Sequence, residues 1–204
     1  MDTVTTNPWA MVSVVLWCAR LVAFIALHIV PSPYSAIRNA VSDYAVGPTR
    51  ALSSVMTWVT AAAWASLAAA VWVGYPDWPD RAGIVTALIA LAVIFVALPF
   101  VPTTIEGEKP SAIGRLHLLL AIAWFAVSYG CMGNFIRLLA DRPETTFTTA
   151  IAIFSWVALV GLVALVVSLL LPGLRRRTFG ISERAFILAV SFFYLCVAVL
   201  MAMA

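Results

Sequence analysis

Six long apolar segments, separated by shorter polar connections, dominate the chain. A helix of about 20 apolar residues is long enough to cross a hydrocarbon core about 30 Å thick. Because lipid offers the backbone no hydrogen-bond partners, each segment must satisfy its own amides as a helix. The pattern therefore predicts an all-α fold, a polytopic bundle of six transmembrane helices. Their expected bounds are about 9–30, 51–73, 82–101, 116–136, 147–171 and 185–204.

Composition supports this class. The 204 residues are 64% hydrophobic and only 10% charged, with a mean hydropathy of +1.04, whereas soluble domains carry about 25% charged residues. Because the net charge is only +3, the sequence gives no reason to expect a nucleic-acid partner. The connections are short and no repeat interrupts them, so we expect residues 1–204 to form a single integral membrane domain. The N-terminus lacks a basic region of the kind that precedes a cleaved signal, so the first segment reads as a mature helix.

Lysine and arginine predict the orientation. The connections after the first, third and fifth helices hold eight of these residues, and the other two connections hold three. The positive-inside rule then places the former in the cytoplasm and both termini outside, in the inner (cytoplasmic) membrane. The eight are Arg38, Arg50, Lys109, Arg115, Arg175, Arg176, Arg177 and Arg184, and the three are Arg81, Arg137 and Arg142. We expect the triplet of residues 175–177 to contact anionic lipid headgroups.

Polar side chains gather in two of the cytoplasmic connections, residues 31–50 and 102–117. We expect a hydrogen bond from residues 42–44 to Arg115, His117 or the backbone of residues 103–104, which would close this end of the bundle. A structural alternative is that the acid of the first connection caps a short helix. The candidate polar site comprises His28, Asn39, Ser42, Asp43, Tyr44, Thr103, Thr104, Arg115 and His117.

These two connections carry a resemblance to a known family. After His28 the first reads VSDYAVGP, and the second reads VPTT followed by GRLHLLLA. The arrangement resembles the bacterial and archaeal family catalogued as domain of unknown function 998, in which a histidine on helix one precedes a Ser-acidic-Tyr-x-x-Gly segment. Val101 and Thr104 stand where that pattern has a phenylalanine and an acidic residue. The resemblance implies a small six-helix membrane protein and no established reaction.

Arg20 is a charge near the middle of the first helix. At helical rise it lies roughly 15 Å from either end, too far for its side chain to reach the interface easily. No aspartate or glutamate lies in the predicted spans, so the guanidinium needs other partners. We favour carbonyls and hydroxyls of neighbouring helices, while a lipid phosphate, an anionic ligand or a partner protein are alternatives. The candidate hydroxyl partners are Ser128, Tyr129, Ser191 and Tyr194.

Recognisable chemistry is sparse. Ser42, Asp43 and His117 have the residue types of a hydrolytic triad, but such a triad is defined by geometry. His28 and His117 are too few for a catalytic zinc site. As axial haem ligands they are disfavoured, because a haem needs a clear apolar slot. We therefore predict no metal and no cofactor, and a colourless protein.

Two function classes remain. The pattern slightly favours an accessory subunit or scaffold of a larger membrane complex, since the connections are small and no catalytic signature is visible. The alternative is a module that binds or processes a lipid-like ligand in a polar pocket formed by residues 31–50 and 102–117. Membrane lipids and other membrane protein subunits are the expected partners.

Overall fold

Six long α helices make up the fold. The computed structural model describes residues 7–105, 108–109 and 111–203, except the side chains of Pro172 and Arg176. All six helices are long and apolar enough to cross a membrane, which confirms the predicted all-α fold of a multi-pass membrane protein. The helices are α1 Pro8–Ile29, α2 Arg50–Gly74, α3 Arg81–Ala97, α4 Ala112–Leu138, α5 Thr146–Leu170 and α6 Pro172–Ala202.

The sixth helix differs most from its predicted bounds. It begins at Pro172 rather than near residue 185, so the expected fifth connection is almost entirely helical. Proline suits the first helical position, because its fixed φ is helical and its missing N–H would have no partner there. Hydropathy marks where the apolar core ends, but a helix continues through the interface beyond it. The predicted span 185–204 holds no acid, but the longer α6 brings Glu183 into its membrane-length part.

Helix α6 is also the most deeply buried. The buried share of its membrane segment is 72%, compared with 22% for α5. It packs along α5 and α1 and touches α2 and α4, while α1, α2, α3 and α4 contact one another in sequence. The contact between α4 and α5 is slight. The helices therefore form a ring with α6 turned inward, and the ring is least closed between α4 and α5.

The half of the bundle away from residues 31–50 has an aromatic core. The ring of Trp64 lies 4.9 Å from that of Trp17 and 4.5 Å from that of Tyr194, and Phe135 packs 5.7 Å from Tyr194. All four side chains are fully buried. Buried charged groups lie instead in the other half, on α1 and α6 and in the first connection.

Candidate ligand-binding site

The first connection is held together by its own polar groups. Asp43 lies in a short 3₁₀ helix, Val41–Ala45, and its Oδ2 accepts hydrogen bonds from Asn39 Nδ2 (2.9 Å) and the Ala40 N–H (3.1 Å). It is 1% exposed. The structural alternative for Asp43 therefore applies, because its carboxylate satisfies a backbone donor at the start of this helix.

Arg184 of α6 joins the first connection to α1. Its Nε donates to His28 Nε2 (2.8 Å), and its Nη1 donates to the carbonyls of Asn39 (2.8 Å) and Gly180 (2.9 Å). His28 Nδ1 donates to the Phe24 carbonyl at 2.7 Å, which leaves the Nε2 lone pair to accept from the arginine. Both ring nitrogens of His28 are therefore engaged in structural hydrogen bonds.

Tyr44 belongs to this same interior cluster. Its ring centroid lies 5.2 Å from the His28 ring and 5.6 Å from the Arg184 guanidinium carbon, and the side chain is 3% exposed. The Tyr44 hydroxyl donates to the Tyr34 carbonyl at 3.3 Å. His28, Asn39 and Tyr44 thus fasten the first connection to α1 and α6.

The second connection lies against the start of α4. His117 Nδ1 donates to the Val101 carbonyl at 2.6 Å, and the Ser111 N–H donates to Thr104 Oγ1 at 3.2 Å. Gly114 permits this approach, because a Cβ there would lie 2.9 Å from the Thr104 backbone nitrogen. The Nδ1 bond fixes the imidazole and leaves Nε2 as its remaining polar atom.

Between described residues, the expected hydrogen bond from residues 42–44 to Arg115, His117 or the backbone of residues 103–104 is not formed. The Asp43 carboxylate accepts hydrogen bonds from Asn39 and Ala40 of its own connection, and the His117 Nδ1 donates to the Val101 carbonyl. The two connections instead face each other across a cavity.

This outer cavity, of about 430 Å³, lies between the two connections and helices α4, α5 and α6. Its polar end is formed by Ser42, Asp43, Thr103, Thr104, Glu108, Arg115, His117, Arg175 and Glu183. Farther along the helices its wall is apolar and consists of Leu118, Ala121, Ile122, Phe125, Ala126, Leu162, Leu165, Val166 and Leu169. One cavity therefore offers charged and hydroxyl groups at one end and a hydrocarbon surface at the other.

The outer cavity opens toward the lipid-facing surface. Leu118, Ile122 and Val166 line it and are nevertheless 48%, 50% and 47% exposed. These side chains lie on α4 and α5, which contact each other only slightly. The apolar wall is therefore accessible from the side of the bundle, between these two helices.

A smaller inner chamber, of about 80 Å³, lies nearer the axis of the bundle. Ser42, His117, Ala121 and Glu183 line both spaces, so the two adjoin through these side chains. The polar groups of the inner chamber are Arg20, Ser42, Ser53, Ser54, Thr57, His117 and Glu183.

Two buried ionisable side chains, Arg20 and Glu183, face the inner chamber. Arg20 is 4% exposed and donates through Nη1 to the Ser191 hydroxyl, one of the partners that the sequence suggested. Tyr194 donates to the Ser128 carbonyl instead (2.6 Å). Glu183 is 7% exposed, and its Oε2 accepts the Val41 N–H at 2.6 Å.

Glu183 and Arg184 were not among the predicted site residues. Hydropathy alone assigned both to a polar connection, although Pro172 is a signal for an earlier helix start. In the arginine triplet, Arg175 lines the outer cavity and lies 5.6 Å from the Phe179 ring, and Arg177 is exposed. The side chain of Arg176 lies outside the described residues.

The hydrolytic and metal interpretations find no matching geometry in the described part of the chain. Asp43 bonds Asn39 and Ala40, and no described hydrogen bond links Ser42 with His117. The described residues contain no group of three metal-ligating side chains. The arrangement is that of two adjoining cavities, each with polar side chains.

Comparison with known proteins gives a family. A family model described as "Protein of unknown function (DUF998)" matches residues 11–200. No curated protein and no solved structure matches the chain. The matched region contains all the cavity-lining side chains described above. The chain therefore belongs to the DUF998 family.

Proposed function

We propose that this protein binds a lipid-like amphiphile in the outer cavity, with the head of the ligand among the polar side chains and its tail along α4 and α5. The observation that carries the proposal is the division of one cavity into a polar and an apolar end, with its mouth on the lipid-facing surface. Its volume falls in the range of about 300–1,000 Å³ that is typical of ligand pockets.

The half of the bundle away from residues 31–50 is closed, which favours binding of a ligand over its transport through the bundle. Trp17, Trp64 and Tyr194 fill the interior beyond Arg20 with packed rings. A ligand in the outer cavity would therefore enter and leave through the gap between α4 and α5 or through the polar end. This arrangement suits a protein that captures or presents a membrane component.

Filling the apolar end of the outer cavity should abolish ligand retention. Ala126 lines that end, and Ala126→Trp would place an indole where the tail lies. We expect native mass spectrometry of the wild-type protein, purified in mild detergent, to show a bound amphiphile that the variant lacks. The matched control is Ala19→Trp, at an exposed position of α1 away from the cavity, which should retain the ligand. Equal retention by Ala126→Trp would contradict the proposal.

The same purification addresses the accessory-subunit alternative. A stoichiometric protein partner, recovered without an amphiphile, would favour that class. An amphiphile recovered with the protein alone would favour the ligand-binding proposal.

We also infer that the protein resides in the inner membrane with its polar end in the cytoplasm, since the lysines and arginines are concentrated there. Both termini would then be extracytoplasmic. A C-terminal alkaline phosphatase fusion should be active and a C-terminal green fluorescent protein fusion dark. The reverse result would place the amphiphile's head on the outer side.

A further inference from the structure

The guanidinium of Arg20 has unused hydrogen-bonding capacity inside the protein. An arginine carries five N–H donors, yet the only described hydrogen bond of this side chain runs from Nη1 to Ser191. Its Nε is buried and has no partner among the described residues. No described carboxylate lies within ion-pair distance of it. A buried cation in this state lacks the paired anion that normally offsets the cost of its desolvation.

Further donors line the same chamber. The hydroxyls of Ser42 and Ser53 make no hydrogen bond to any described residue. His117 has its Nδ1 fixed by the Val101 carbonyl, so Nε2 is its only other polar atom. Among the described residues, Arg20 Nε and the hydroxyls of Ser42 and Ser53 thus have no hydrogen-bond acceptor. Its volume of about 80 Å³ exceeds several times the roughly 10–15 Å³ that one water requires.

We propose that the inner chamber is an oxyanion site, in which Arg20, Ser42 and Ser53 bind a phosphate or carboxylate group. Guanidinium suits this role because its planar array of N–H groups matches two oxygens of such an anion. The inference extends the proposed function, since the adjoining outer cavity would hold the tail of an acidic amphiphile. A small free oxyanion offers the same chemistry.

Glu183 is an acidic side chain beside the proposed oxyanion site. It faces both cavities, and one of its oxygens is held by the Val41 N–H. An ionised carboxylate here repels an incoming oxyanion, so its removal should not weaken binding. Glu183→Gln tests this while its amide oxygen still accepts the Val41 N–H.

The test is isothermal titration calorimetry on the full-length protein in maltoside micelles, with dodecyl phosphate, dodecanol and inorganic phosphate as probes. We expect wild type to bind dodecyl phosphate in preference to dodecanol. Arg20→Lys keeps the charge but loses the planar array of donors, and should weaken dodecyl phosphate binding about tenfold or more. Glu183→Gln should bind it at least as tightly as wild type.

The outcomes separate this inference from the proposed function. Equal binding of dodecyl phosphate and dodecanol, unaffected by Arg20→Lys, would overturn the oxyanion site and leave amphiphile binding intact. Arg20-dependent binding of inorganic phosphate as tight as that of dodecyl phosphate would support the oxyanion site and count against a lipid tail. Weaker dodecyl phosphate binding by Glu183→Gln would contradict the inference that the ligand is anionic.

A second variant keeps the test decisive if Arg20→Lys does not fold. Ser53→Ala removes an unused hydroxyl from the chamber and leaves the described hydrogen bonds in place. We expect it to weaken dodecyl phosphate binding several-fold with dodecanol binding unchanged. An unaltered affinity for dodecyl phosphate would count against the site.

Discussion

Arg184→Ala is expected to lower the free energy of unfolding by about 2 to 5 kcal/mol. The guanidinium donates to His28 Nε2 and to the Asn39 carbonyl. Its removal leaves these acceptors without the donor, at about 1–3 kcal/mol for each buried group that stays unsatisfied. The first connection would also lose the hydrogen bonds of Arg184 that join it to α1 and α6.

Unfolding by dodecyl sulfate in mixed micelles, followed by tryptophan fluorescence, would measure this loss. The matched control is Arg177→Ala on the same helix, where the side chain is exposed. Removing an exposed side chain should change stability by less than about 0.5 kcal/mol. Similar unfolding midpoints for the two variants would mean that the Arg184 contacts contribute little.

Gly180→Ala should destabilise the protein by about 3 kcal/mol or more. A Cβ at this glycine would lie 2.7 Å from the carbonyl oxygens of Ala36 and Asn39 and 2.8 Å from that of Ile37. Overpacking typically costs about 1–3 kcal/mol, and these neighbours are backbone atoms that cannot rotate away. The Gly180 N–H also donates to the Ile37 carbonyl at 3.1 Å, so the shift would stretch a hydrogen bond.

Gly130→Ala is the control for helix propensity. This glycine lies within α4, and a Cβ there would meet nothing within 4 Å. Alanine should therefore leave stability unchanged or raise it by up to about 1 kcal/mol. If both alanine variants unfold at the wild-type midpoint, the close packing of α6 on the first connection is not a source of stability.

Much of the fold was predictable because its main determinant is local. An apolar run of membrane length must be helical wherever it lies in the bundle, since lipid supplies no other backbone partners. Helix ends were less predictable, as α6 shows. The first turns of α6, from Pro172 onward, are polar and therefore invisible to a hydropathy pattern, yet they are helical.

The candidate site was predicted in part. Ser42, Asp43, Arg115 and His117 were identified from the two polar connections, and the structure places all four around the outer cavity. His28 and Tyr44 were identified by the same reasoning, but they pack together against Arg184. Polarity in a membrane segment indicates an interior position. It does not indicate whether the side chain binds a ligand or holds a connection in place.

The sequence by itself determined the class of protein, the six helices and the anomaly of Arg20, because these follow from hydropathy and charge at each position. Only the tertiary structure decided that Glu183 faces the same chamber as Arg20. It also decided that α4 and α5 lie far enough apart to leave the outer cavity open between them. Arg20 and Glu183 lie far apart in sequence. Their approach depends on how α6 packs against α1, which is set by close contacts such as those at Gly180 and by the hydrogen bonds of Arg184. No periodicity along the chain encodes those contacts, because each joins residues of different elements.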